Sequence, residues 1–136
     1  MNKYEAEDLL RIAALDSANS LKQAALEYNW DDGLGVPFAI ANHPKCDLAV
    51  ALELFWVADA VEVHLGHHIS SPWSEDWVQF CELLINRLLA GYYKQGEASF
   101  IPDLTKVQIY KYRKQNVPEL FLSAVTGQCR PLSQPK

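Results

Sequence analysis

The sequence predicts an all-α fold, a single compact bundle of about five to six helices with room for one short edge strand. Three observations support this prediction. Apolar side chains recur at helical spacing in several separate segments, and residues able to cap a helix stand before most of these segments. The chain has 136 residues, 49% of them hydrophobic, which suffices for one core but not for two. We assign residues 1–125 to the helical domain and residues 126–136, which contain two prolines, to a flexible tail.

A helical hairpin is predicted first. Residues 4–15 place four apolar side chains on one stripe: Leu9, Leu10, Ala13 and Ala14. Asp16 or Ser17 can cap a second helix, whose apolar residues follow the i, i+3, i+4, i+7 rule: Leu21, Ala24, Ala25 and Tyr28. Residues 29–33 then turn the chain, because Asn, Asp and Gly favour turns and helix ends.

The middle of the chain predicts two further helices. Residues 36–42 are long enough for about two turns, with Pro37 suited to the first turn. Asp47 can cap a helix over residues 48–60, in which four residues form a buried face: Leu48, Ala51, Leu52 and Phe55. Residues 61–71 alternate loosely and break at Gly66, so they predict a loop or a short strand.

Ser74 begins the clearest predicted helix. Acidic residues fill its first turn, Trp73 and Val78 are spaced for a hydrophobic staple, and the helix should reach about Tyr93. A last helix is predicted from residue 101 to about 116. Its inward side chains would be Leu104, Val107 and Tyr110, and its exposed ones Lys106, Lys111, Arg113 and Lys114. Residues 117–122 fit either a helical turn or an edge strand.

Charge is distributed unevenly along the chain. Residues 1–93 carry a net charge of −9 and residues 94–136 a net charge of +4, which together give −5. An acidic surface favours encounter with a basic protein and makes nucleic acid an unfavourable main partner. The longest nearly uncharged apolar run, residues 83–93, is about half the roughly 20 residues of a membrane span. The acidic N-terminus does not resemble a secretory signal, so we expect a cytoplasmic protein without a membrane partner.

The three cysteines do not form a motif. Cys46, Cys81 and Cys129 are odd in number and widely spaced, unlike the paired cysteines of zinc sites or the dense disulfides of small secreted domains. We expect reduced thiols, with Cys46 and Cys81 in apolar helical surroundings.

Three histidines follow Glu62. His64, His67 and His68 have a spacing that could bind one divalent metal ion on a helix, but Gly66 argues against a regular helix there. The favoured interpretation is a solvated histidine loop, with a metal site or a pH-responsive surface as alternatives. We predict no cofactor.

Two other segments carry groups that could be chemically active. Asp31 and Asp32 beside Trp30 could supply acid–base chemistry or a cation site. The favoured interpretation is a capping turn, with Trp30 packed on the core and its N–H hydrogen-bonded. Lysines and tyrosines interleave over residues 106–114, as on some RNA-binding surfaces, although a solvated helix face fits an acidic protein better. We find neither a nucleophile elbow nor a complete dinucleotide-binding loop.

Residues 28–56 resemble a bacterial family, the domain of unknown function 4274. The resemblance rests on Asn-Trp-Asp-Asp-Gly at residues 29–33, Pro-x-Cys-Asp at residues 44–47 and Ala51-x-x-x-Phe55-Trp56. The family supplies no catalytic residues to transfer. By analogy, small acidic proteins of this kind accompany polymorphic and contact-dependent bacterial toxins as immunity proteins.

Our leading hypothesis is therefore a non-enzymatic immunity protein, monomeric or weakly dimeric, that neutralises a cognate toxin domain, expected to be a basic nuclease. Acidic and aromatic side chains would form the contacts: Asp31, Asp32, Asp59, Glu62, Trp73, Glu75 and Asp76. Two alternatives remain open. One is a metal-binding or hydrolytic protein that uses His64, His67 and His68, and the other is a helical scaffold or dimerisation module.

Overall fold

The computed structural model describes residues 3–67 and 75–127, with the side chains of residues 3–5 excepted. These ranges contain eight α-helices, one 3-10 helix and a single antiparallel bridge between Phe100 and Val125. The helices are α1 Lys3–Ala13, α2 Ala18–Glu27, α3 Gly35–Ala41, α4 Leu48–Val57, α5 Ala60–His64, α6 Glu75–Leu89, α7 Lys106–Lys114 and α8 Glu119–Leu122, and the 3-10 helix is Trp30–Asp32. The predicted all-α bundle is confirmed, and two very short helices, α5 and α8, bring the count above the five to six predicted.

Helix α4 lies at the centre of the bundle. It packs against α2, α3, α5 and α6, and six of its ten residues are buried, on more than one side of the helix. A helix that is apolar around most of its circumference is stable only when other elements surround it. The α4 sequence LAVALELFWV therefore explains its central position.

Two of the predicted helix caps are present. The Ser17 hydroxyl accepts a hydrogen bond from the Ser20 N–H at 3.1 Å, at the start of α2. The Asp47 carboxylate accepts one from the Val50 N–H at 3.0 Å, at the start of α4. Each cap satisfies a backbone donor that the first helical turn leaves without a partner.

The prediction of a loop or short strand for residues 61–71 was wrong over residues 61–64, whereas residues 65–66 form a turn that breaks at Gly66 as predicted. Residues Ala60–His64 form helix α5, with Val61 and Val63 buried. The predicted helix over residues 48–60 is instead interrupted at Asp59, which adopts a left-handed conformation with φ of 60°. Asp tolerates this conformation better than most residues, so the chain turns there and begins a second helix.

Helix α7 begins later and faces differently than predicted. Thr105 caps it, in a reciprocal capping box with Gln108, so the helix starts at Lys106. Val107 and Tyr110, which we had placed inward, are 61% and 59% exposed. Ile109 and Tyr112 pack against the core instead, because the bundle lies on only that side of the helix.

Several smaller predictions also differ from the structure. Among the described side chains of α1, the buried one is Ile12, whereas Leu10 is 73% exposed. Helix α6 ends at Leu89 rather than Tyr93. Of the two options for residues 117–122, the helical turn is observed, as α8. The proposed tail falls almost wholly beyond residue 127, outside the described residues. Within the described part, no helix combines the length and the apolarity that a membrane span needs.

Candidate partner-binding site

An acidic cavity of about 350 Å³ opens where the 3-10 helix meets the end of α4 and the start of α6. We call it the acidic cavity. Its wall combines two indole rings, two carboxylates and aliphatic groups, from Trp30, Asp31, Gly33, Leu34, Val57, Ala58, Asp76 and Trp77. Three separate segments of the chain thus converge on one concave surface.

The Asn-Trp-Asp-Asp-Gly turn forms one side of this cavity. The Asn29 side chain accepts a hydrogen bond from the Asp31 N–H at 3.1 Å and so fixes the start of the 3-10 helix. The Trp30 indole N–H donates to the Ala25 carbonyl at 3.2 Å, and its ring meets Phe80 edge-on. Gly33 closes the turn with φ of 107°, a conformation that favours glycine. The predicted hydrogen-bonded anchoring of Trp30 is confirmed.

Helices α4 and α6 form the opposite side. The Trp77 indole N–H donates to the Ala58 carbonyl at 2.7 Å, which ties the start of α6 to the end of α4. Val57 is 38% exposed on the cavity wall. Asp76 and Glu75 occupy the first turn of α6, where negative charge favours the helix dipole. A hydrogen bond thus anchors each of the two indoles at the cavity wall.

Asp59 follows Ala58 at the edge of this region and is exposed. Its pKa is raised, chiefly because neighbouring groups partly remove its carboxyl from water and secondly because of the nearby Glu62 carboxylate. Asp59 therefore keeps a proton to higher pH than an ordinary aspartate.

The structure divides the predicted acidic contact residues between two surfaces. Asp31 and Asp76 line the acidic cavity. Asp32 and Glu75, their sequence neighbours, are exposed. The other surface holds Glu62, which lines a groove between α5 and α7. Trp73, the predicted aromatic contact, lies outside the described residues.

The two described histidines of this group, His64 and His67, do not line the acidic cavity. His64 packs edge-on against Phe121, and the Nδ1 of His67 lies 3.3 Å from a Glu62 carboxylate oxygen. His68 lies outside the described residues. Among the residues that are described, no group of three His, Cys, Asp or Glu side chains is placed to hold a metal ion. Asp31 and His67 thus line separate cavities.

The Pro-x-Cys-Asp motif has a structural role in this arrangement. Burial raises the pKa of the Cys46 thiol to about 12, which keeps it protonated and poorly nucleophilic at neutral pH. Asp47 is buried, and its second carboxylate oxygen accepts a hydrogen bond from the Ala98 N–H at 3.0 Å. The motif therefore joins α4 to a distant segment of the chain.

Sequence reasoning missed several residues of the acidic cavity. Val57 and Trp77 are not among the predicted contact residues, and neither are Leu34 and Ala58. The indole of Trp77 does pack against the core, but it also reaches the cavity wall. A signal for this dual position existed only in the amphipathic nature of tryptophan, whose ring is apolar and whose N–H is polar.

The acidic cavity lies in a part of the chain that matches the model of a known family. The model of a domain of unknown function, DUF4274, matches residues 16–89, a range that includes every residue lining the acidic cavity. The searches of curated proteins and of solved structures gave no match.

Proposed function

The chain belongs to the DUF4274 family, and on this premise we propose that it is a non-enzymatic immunity protein. It binds a cognate bacterial toxin domain in the cytoplasm and covers the toxin's active site or substrate surface. The observation that carries this proposal is the acidic cavity, in which Asp31 and Asp76 stand beside the indoles of Trp30 and Trp77.

This combination of groups suits a basic side chain of a partner protein. A lysine or arginine that enters the cavity can lie against an indole face and pair with a carboxylate. Val57 offers an apolar contact at the same site. Anchoring by buried aromatic groups is typical of the residues that dominate binding energy at interfaces.

The surrounding charge supports fast and selective association. Asp32, Asp59 and Glu75 are exposed near the residues that line the cavity, and residues 1–93 carry a net charge of −9. A field of one sign raises the rate of encounter with a partner of opposite sign and weakens as salt is added. A basic nuclease domain, whose own substrate is polyanionic, has the complementary surface.

The proposal predicts a toxin domain encoded beside this protein, and co-expression of the two tests it. Wild-type protein should restore growth and co-purify with the toxin. The double variant Asp31→Lys/Asp76→Lys should lose both properties, because it reverses the charge of the cavity while altering only exposed side chains.

The matched control is Glu7→Lys/Asp103→Lys, which makes the same change in net charge at exposed positions outside the cavity. It should protect cells as the wild type does. Equal protection by the cavity variant would show that binding does not use this surface, and failure of the wild type to protect would remove the immunity function itself.

A further inference from the structure

A groove of about 460 Å³ runs between α5 and α7, separate from the acidic cavity. We call it the α5–α7 groove. It is lined by Glu62, Leu65, His67, Gln108, Lys111, Tyr112, Lys114 and Gln115. Its two sides differ in charge. One side holds Glu62, with the Nδ1 of His67 3.3 Å from its carboxylate, and α7 contributes Lys111 and Lys114 to the other.

The side of α7 that faces away from the core carries apolar side chains among its lysines. Val107, Lys111 and Lys114 are spaced i, i+4, i+7 and therefore share one helix face. Tyr110 lies beside Lys114, whose Nζ is 5.4 Å from the centre of the tyrosine ring. Val107 and Tyr110 are both more than half exposed, but they do not line the groove, whose apolar lining comes from Leu65 and Tyr112.

The opposite charges of the two rims do not neutralise each other by direct contact. Within the described part of the chain, neither Lys111 nor Lys114 forms an ion pair, whereas the nearby Arg113 pairs with Glu119 at 2.7 Å. The acidic rim is nonetheless within electrostatic reach of α7. Burial first, and then the carboxylates of Glu62 and Asp59, raise the pKa of the Tyr112 hydroxyl.

We propose that a second copy of this chain covers the α5–α7 groove, in a two-fold symmetric dimer. A two-fold axis over the groove places the Lys111 and Lys114 rim of each copy against the Glu62 rim of the other. Such an isologous contact requires a self-complementary surface, and adjacent rims of opposite charge provide one. Burial of Leu65 and Tyr112, which line the groove, would supply the apolar contribution.

Charge complementarity favours this occupant over the alternatives. An anionic membrane or a nucleic acid would be attracted by Lys111 and Lys114 but repelled by Glu62 in the same groove. A uniformly basic partner would be attracted by Glu62 but repelled by Lys111 and Lys114. A second copy carries both signs in the required arrangement.

Sedimentation velocity of the purified protein over a range of concentrations tests the dimer. The wild type should self-associate reversibly. Lys111→Glu and Glu62→Lys should each raise the dissociation constant by about tenfold or more, because each reversal acts twice across a two-fold interface. An equimolar mixture of the two variants should form a heterodimer, since each then faces a rim of opposite charge.

The controls are Lys45→Glu and Glu82→Lys, which make the same charge changes at exposed positions outside the groove. They should dimerise as the wild type does. Recovery of assembly in the mixture also shows that both groove variants are folded. The salt dependence of the wild-type dimer is an independent measurement, and the dissociation constant should rise about tenfold between roughly 0.05 M and 0.5 M salt.

A wild-type chain that stays monomeric overturns the proposal, and so does a dimer that neither groove variant weakens. Sedimentation with vesicles of anionic lipid by a monomeric wild type would assign the groove to a membrane surface instead. The measurement uses the chain alone. Its failure therefore leaves toxin binding at the acidic cavity unaffected, and loss of growth protection leaves the dimer unaffected.

Discussion

The region matched by the family model and the region that follows it differ in how they use their side chains. Residues 16–89 contain most of the buried core, including all of α4. Residues 94–127 contribute only five buried side chains, Ala98, Phe100, Val117, Phe121 and Leu122, and α7 has none. Their charges also differ in sign, since residues 94–136 are net basic and the preceding chain is net acidic.

The basic region contacts the core on each side of α7, whereas α7 itself packs on the core only through the half-buried Ile109 and Tyr112. Before α7, Asp47 accepts from the Ala98 N–H, and the Leu48 N–H donates to the Lys94 carbonyl at 2.8 Å. After α7, Phe121 stacks on Phe55 with ring centres 4.3 Å apart. The later region therefore packs most fully against the core before and after α7, while α7 leaves most of its side chains exposed.

Among the substitutions that weaken contact between the two regions, Phe121→Ala should have the largest effect. Phe121 is fully buried, and its carbonyl accepts a hydrogen bond from the Trp56 indole at 2.9 Å. Truncation of a buried phenylalanine leaves a cavity and should lower the free energy of unfolding by about 4 kcal/mol. Urea denaturation followed by tryptophan fluorescence measures the change.

Leu120→Ala is the matched control, because it removes a half-buried side chain from the same helix. It should cost about 1 kcal/mol. If Phe121→Ala lowered the free energy of unfolding no more than Leu120→Ala, the later region would not contribute to the stability of the core.

Asp47→Ala tests the contact between the two regions before α7. It should lower the free energy of unfolding by about 3 kcal/mol. The substitution removes the cap of α4 and leaves the Val50 and Ala98 N–H groups without their carboxylate partner in a buried site. Gly96 packs close to this carboxylate, so that a Cβ on residue 96 would come within 2.7 Å of an Asp47 oxygen. Thermal or urea unfolding measures the loss.

Ser17→Ala is the control that distinguishes the helix cap of Asp47 from its hydrogen bond to Ala98. Ser17 caps α2 in a similar way through the Ser20 N–H but has no cross-link equivalent to Ala98, so its replacement should cost only about 1 kcal/mol. The excess cost at Asp47 then measures the connection between regions. Equal costs at the two positions would mean that the Ala98 hydrogen bond contributes nothing.

Local patterns were sufficient to predict most helices and two of their caps. The i, i+3, i+4 spacing located α2 and α6, and the position of Asp47 before an apolar run identified the cap of α4. Predictions failed where tertiary contacts decide. Helix α7 is apolar on more than one face, and only the location of the core selects Ile109 and Tyr112 over Val107 and Tyr110 as its buried residues.

The candidate site was less predictable for the same reason. Asp31 and Asp76 were proposed on chemical grounds, but no sequence pattern links residues 45 positions apart, and their common cavity with Val57 depends on how α4 and α6 pack. Glu97 makes another long-range contact that no local sequence pattern indicates. Its carboxylate accepts from the Ala18 N–H at 2.8 Å, and so caps a helix that begins 79 residues earlier.

The smallest effect is expected at Thr105, where a substitution tests whether α7 opens independently of the core. The Thr105 hydroxyl accepts from the Gln108 N–H at 3.1 Å, and the Thr105 N–H donates to the Gln108 side chain at 2.8 Å. Thr105→Ala should destabilise α7 by about 1 kcal/mol and speed hydrogen exchange of its amides about fivefold. Because α7 buries no side chain completely, it can open without the core, and the midpoint of global unfolding should not move. Thr105→Ser retains the hydroxyl and should exchange as the wild type does. A shift of the global midpoint in Thr105→Ala would show instead that α7 unfolds together with the core, as an integral part of it.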